Sequence, residues 1–164
     1  LDAPATDDDD DELADSLAGK TYSRQERLEL EMETLARHFA RRRELLEGAL
    51  TAPDVARLLG TSRQTPHDRL RSQSLLAIKH NGKLMFPRWQ FDPAGPDGVI
   101  DGLPEVLKAL RLSDYSKLTW LARPNPYFES RTPVELLRQG ERERVVREAA
   151  AVGAEVMQPD RVPA

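Results

Sequence analysis

No cysteine occurs in the 164 residues, which removes disulfides and thiolate metal sites and is compatible with a reducing compartment. Histidine is scarce too. His38, His67 and His80 fall in three different segments with no His-x-x-x-His, so the ligand spacing of a histidine metal site is missing. No apolar run approaches the roughly 20 residues that span a bilayer, and the acidic first stretch is the opposite of a signal peptide. The expectation is a soluble, cytoplasmic protein with no membrane partner. Neither Gly-x-x-x-x-Gly-Lys-Ser/Thr nor Gly-x-Gly-x-x-Gly occurs, so phosphate cradling by a glycine-rich loop has no support. Nothing resembles a nucleophile elbow. The paired acids Glu141 and Glu143 sit among arginines, where a solvated face explains them better than acid–base work. These absences predict a protein that is not an enzyme and carries no cofactor or metal.

What is present is charge, unevenly spread. The net charge of −4 conceals a segment at residues 51–91 with seven Lys or Arg against two Asp, while residues 1–20 hold eight acids and one Lys. The overall balance therefore says little about partners, and nucleic acid is to be sought at 51–91. "DDDDDE", Asp7 to Glu12, cannot bury enough apolar surface to offset ordering, so residues 1–20 are expected to be a disordered acidic arm, either merely solubilising or competing with DNA for the basic segment.

Residues 21–50 read as one long amphipathic helix, with Ser23 as N-cap and Glu26 as its capping-box partner. Leu28, Met32, Leu35, Phe39 and Leu46 make a heptad seam interrupted by Arg42, which could pack on the rest of the chain or on a second copy in a homodimer. In "TAPDVARLLG", Thr51 is an N-cap, Pro53 lies in the first turn and Gly60 ends the helix. "TSRQTPHDRLRSQ" restarts a helix, with Thr65, Pro66 and Asp68 as an alternative start. "LLAIKHNGKLMFPRWQF" reads as two strands joined at Asn81-Gly82, a dipeptide suited to a type I′ turn. Helix, tight turn, helix, hairpin is the order of a winged helix-turn-helix, assigned to residues 51–91.

In that motif the N-terminal part of the second helix enters the major groove. Ser62, Arg63, Gln64 and Thr65 fall there, with Arg63 suited to guanine and Gln64 to adenine. Arg69, Arg71 and the wing residues Lys79, His80 and Lys83 suit phosphates, which position without specifying sequence. The competing reading is a small α+β unit with a solvated basic face.

"DPAGPDGVIDG", residues 92–102, is rich in Pro and Gly and reads as a linker or joining loop. Short helices should follow through residues 103–153. Leu103, Val106, Leu107 and Leu110 share one face, Ser113 caps the next helix, Thr132 and Glu135 form a capping box with Pro133, and Gly140 closes that helix. Residues 154–164 should be a flexible tail. The fold class expected is mainly α with a small β-hairpin, a winged helix-turn-helix followed by a small helical bundle. Within the last part Trp120, Tyr127 and Phe128, beside Asn125 between two prolines, either fill the bundle core or form an interface.

Leu118 to Ala150 resembles the C-terminal toxin-binding domain of Xre/MbcA/ParS-type antitoxins. The resemblance rests on Trp120-Leu121, Pro124-Asn125-Pro126, Ser130-Arg131-Thr132-Pro133, Glu135-Leu136-Leu137, Gly140-Glu141 and Val145-Val146, matched in order and spacing. The chain departs from the family where a usual Leu-Gly-Gly becomes Phe128-Glu129-Ser130, so that turn must accept side chains. Its N-terminal reader is more similar to excisionase-like or MerR-like winged domains than to an Xre bundle. The resemblance implies an antitoxin that occludes a cognate toxin, commonly a RES-domain enzyme consuming NAD, and represses its own operon by binding operator DNA. It further implies toxin contacts at Trp120, Asn125, Tyr127, Phe128 and Arg131, and at Asp160 and Arg161 if the tail reaches the toxin's cleft. The alternative is a transcriptional regulator whose C-terminal domain only oligomerises or contacts another protein.

Overall fold

Capping chemistry sets where most of the helices begin. The structure, a computed structural model, describes residues 22–157 and divides into two compact units after Glu44. The first is essentially one helix, α1 (Arg24–Leu45). Its start is the expected capping box: the Glu26 N–H donates to Ser23 Oγ at 3.2 Å, and the Ser23 N–H donates to Glu26 Oε2 at 2.9 Å. No residue of α1 is buried, and Leu28, Met32, Leu35 and Phe39 all stand exposed. Leu46 does not continue their seam. The helix ends at Leu45, a turn follows, and Leu46 joins the core of the second unit. The acidic arm expected at 1–20, and Asp160 and Arg161 in the tail, lie outside the described residues.

The second unit is mainly helical with a small antiparallel sheet. Its elements run β1 (Leu50–Thr51), α2 (Ala52–Leu59), α3 (Thr65–Arg71), β2 (Ile78–His80), β3 (Lys83–Phe86), α4 (Leu103–Ala109), α5 (Asp114–Ala122), α6 (Pro133–Arg138) and α7 (Arg142–Met157). Strand β3 lies between β1 and β2, pairing Leu50 with Phe86 on one side and Ile78 with Met85 on the other. Thr51 and Asp54 reciprocate as a capping box for α2, and Gly60, at φ +67°, turns the chain out of it. The β2–β3 hairpin turns at Asn81 and Gly82 with φ of +51° and +77°, the positive pair a type I′ turn demands. Helix, turn, helix, hairpin is therefore the observed order from β1 to β3.

The winged part and the helices after it share one hydrophobic core. Val55, Leu76, Ile78 and Phe86 belong to the same cluster as Leu103, Leu107, Leu118, Leu136 and Val145. Residues 92–102, expected as a linker or a joining loop, are packed into this core: Val99 and Ile100 are buried, and the Ile100 N–H donates to the Gln90 carbonyl at 2.9 Å. The Pro and Gly residues make the segment turn-rich, but its Val-Ile pair is apolar enough to anchor it. A buried glutamine completes the joint. Gln90 Oε1 accepts the Leu76 N–H at 2.8 Å, while its Nε2 donates to the carbonyls of Leu76 at 2.8 Å and Pro87 at 3.0 Å. This side chain ties the segment after α3 to the segment after β3, which fixes the second helix against the hairpin. Helix α7 packs on α4 through Val145, Ala149 and Gly153, one residue per turn. A Cβ at Gly153 would stand 2.5 Å from the Ala109 carbonyl oxygen, so glycine permits the close approach.

Candidate functional site

Helix α3 is the second helix of the helix, turn, helix, hairpin order, and its two faces are easily told apart. Pro66 is buried and Leu70 packs against the core, so the outward face carries Gln64 at the N-cap, then His67, Asp68 and Arg71. The helix begins at Thr65. Ser62, Arg63 and Gln64 therefore lie in the exposed turn that leads into it rather than on its first turn, because Pro66 is suited to the start of a helix and not its interior. Ser62 Oγ and Thr65 Oγ1 are 3.2 Å apart and stiffen that turn.

Asp68 and His67 share this exposed face, although the sequence did not single them out as DNA contacts. Both follow from the start at Thr65, which turns Gln64, Asp68 and Arg71 to one side at spacings of four and three. Asp68 accepts from Gln64 Nε2 at 3.2 Å and lies 3.7 Å from the Arg71 guanidinium. It pre-positions one donor on each side of itself, and its carboxylate suits a cytosine amino group rather than a phosphate.

Arg69, expected at phosphate, is half-buried and bonded within the chain. Its Nη1 donates to the Asp97 carbonyl at 2.9 Å, and the side chain lines a cleft of about 250 Å³ with Ile100, Asp101 and Arg142. At i+3 from Pro66 it follows the inward side of the helix, and it braces α3 against the 92–102 segment. On the wing, His80 pairs with Lys83 across the turn and Lys79 with Leu84. Lys79 and Lys83 are exposed, whereas His80 is half-buried.

The aromatic loop between α5 and α6 separates its residues into structural and exposed. Tyr127 is 72% exposed and Phe128 is 1% exposed, although they are neighbours. Phe128 therefore belongs to the core rather than to a contact surface. The short 3-10 turn at Pro126–Phe128 points its last residue inward, where Trp120 meets it edge-on at 6.2 Å and the Arg144 guanidinium lies 5.3 Å from its ring centre. Trp120 is half-buried beside it. Asn125 is a cap: its Oδ1 accepts the Tyr127 N–H at 2.9 Å. Thr132 and Glu135 form the expected capping box of α6.

Glu129 and Ser130 both adopt left-handed backbone, with φ of +54° and +63°. This is the place where glycines were to be expected, and each side chain there costs about 1 kcal/mol or more in strain. An ionic network spans the loop. Glu129 accepts from Arg144 Nη2 at 2.7 Å and lies 3.7 Å from Arg131, whose Nη1 donates to Gln139 Oε1 at 2.7 Å and stands 3.4 Å from Glu141. The Arg144 hydrogen bond, with the charges of Arg144 and Arg131 behind it, holds the Glu129 carboxyl below its ordinary value. Glu141 thus works inside a network instead of on a merely solvated face, and Arg131 has its fork occupied within the chain.

Among the described residues no helix is long and apolar enough to cross a membrane, and no group of three or more His, Asp or Glu is arranged to hold a metal.

No protein-family model matches the chain, and no curated protein matches it either. The structure is similar to one solved by NMR for a protein named Rv2175c, with 28% sequence identity and a TM-score of 0.55 over 64% of this chain and 80% of that one. The two share a fold over that span.

Proposed function

We propose that the protein is the antitoxin of a bacterial toxin–antitoxin pair: it binds its operator through the winged helix-turn-helix, represses its own operon, and neutralises a cognate toxin, a RES-domain enzyme, through its C-terminal helices. It acts as a homodimer and has no catalysis of its own. The observation that carries the DNA-binding half is the exposed turn and helix face of Arg63, Gln64, His67 and Arg71, set by Pro66 and Leu70 packing inward and followed by a hairpin with exposed Lys79 and Lys83. Arginine and glutamine at that point have the geometry for purine edges, and the lysines are long enough to reach phosphates. The toxin-binding half rests on the resemblance of residues 118–150 to the antitoxin family, supported by the strained Glu129-Ser130 turn where that family has glycine.

The competing reading is a regulator whose C-terminal helices only oligomerise or contact some other protein. It draws support from the loop itself: Phe128 is buried and Arg131 is occupied, which leaves Tyr127 as the exposed aromatic there. Co-expression with the adjacent reading frame separates the two. An antitoxin restores growth against a toxic neighbour and copurifies with it. A neighbour that is neither toxic nor retained defeats the antitoxin reading and leaves the regulator.

A further inference from the structure

Helix α1 carries an apolar stripe with no residue of the helix buried. Leu28, Met32, Leu35 and Phe39 are 53%, 70%, 55% and 54% exposed. Most of a helix's stability in proteins comes from packing its apolar face rather than from propensity, so such a stripe calls for a partner. Two features of the helix say what the partner is. The first is spacing: intervals of four, three and four read the same from either end, so a reversed copy offers matching knobs and holes. The second is charge. Residues 24–33 hold four Glu against Arg24 and Arg27, whereas residues 34–44 hold four Arg against Glu44, with His38 beside them.

We infer that α1 pairs antiparallel with α1 of a second copy, Leu28 meeting Phe39 and Met32 meeting Leu35. A parallel pair sets Glu-rich half on Glu-rich half, stacks the four-arginine halves, and drives Arg42, the next seam position, onto its own counterpart. The antiparallel register sets each acidic half on a basic one. It also sets Arg42 level with Gln25 of the second copy instead of with its own counterpart. Like charges across a helix pair are unfavourable and opposite ones favourable, so charge selects the orientation while the stripe supplies the contact. Leu46 takes no part, being in the core of the other unit. This deepens the homodimer assignment above and is independent of the DNA and toxin assignments.

The chain's lack of cysteine makes the test clean, since any thiol introduced is unique. In the antiparallel pair the two copies of position 28 are eleven residues, about 16 Å, apart along the axis, well beyond the roughly 7 Å limit for bridging two Cα atoms. Full-length Leu28→Cys should therefore stay uncrosslinked under mild oxidation, and so should Phe39→Cys. A mixture of the two, one bearing a size tag and allowed to exchange subunits, should give a covalent heterodimer. Light scattering of the wild type should read a dimer that loosens roughly threefold to tenfold between 50 mM and 500 mM salt, as the opposed charges are screened. A monomer by light scattering overturns the dimer altogether and returns the stripe to the chain's own surface. A dimer in which Leu28→Cys crosslinks to itself, or which tightens with salt, keeps the dimer and overturns the antiparallel pairing.

Discussion

Replacing Gln90 by leucine should be among the most damaging single changes in the protein, although nothing exposed is altered. The two side chains are close in volume, so no large cavity opens. What changes is the hydrogen bonding: the Leu76 N–H loses its acceptor, and the carbonyls of Leu76 and Pro87 lose their donor, all at a side chain that is 0% exposed. Leaving one buried polar group without a partner costs about 1–3 kcal/mol. With three groups affected, and the gain of an apolar side chain in partial offset, the net loss is about 3 kcal/mol. That is a large share of the 5–15 kcal/mol typical of a domain. In urea, with a slope near 2 kcal/mol per molar, the unfolding midpoint should fall by about 1.5 M, read from the fluorescence of Trp89 and Trp120. Gln90→Glu is the diagnostic companion. It keeps the acceptor for Leu76 but can donate only when protonated, so its folded-state pKa is raised and its midpoint should recover relative to wild type as pH falls. A midpoint shift for Gln90→Leu below about 0.3 M would refute the claim that this side chain holds the helix-turn-helix to the hairpin.

Three further outcomes follow from the aromatic loop. Phe128→Ala should cost about 3–5 kcal/mol in denaturation, whereas Tyr127→Ala should change stability by less than about 0.5 kcal/mol and instead reduce retention of the co-expressed toxin. Ser130→Gly relieves left-handed strain and should raise stability by about 1 kcal/mol, measurable as a higher melting temperature with no change in secondary structure. Glu129 has a depressed folded-state pKa, so its contribution is present above its unfolded value and is lost as pH falls through the lower folded value. Wild type should thus lose more stability across that acid window than Glu129→Gln does, Asp54 being depressed in both, as urea midpoints taken across it will show.

The parts of the fold legible in the residues are those decided locally. Ser23, Thr51 and Thr132 each cap a helix because their partner glutamate or aspartate lies three residues on, and Asn81-Gly82 turns a hairpin because both tolerate positive φ. What could not be read depends on tertiary partners. Tyr127 and Phe128 are adjacent aromatics, and only the direction of a 3-10 turn decides which is core. Residues 92–102 have the composition of a linker, yet Val99 and Ile100 find a core to enter. Gln90 carries no sequence signal at all, since its role is defined by Leu76, fourteen positions away. That Arg63 and Gln64 stand exposed at the entry to α3 was legible from charge and motif order. The inward turn of Arg69 was not, because it depends on the Asp97 carbonyl.

Competitive binding of Arg63→Ala and Gln64→Ala to operator and to unrelated duplex decides whether the turn entering α3 reads base edges. Base readout should cost about tenfold to hundredfold on the operator from either change, against a small loss on unrelated DNA, with wild-type affinity for both falling steeply as salt rises. An equal loss on both DNAs would make these residues phosphate contacts only and contradict the assignment.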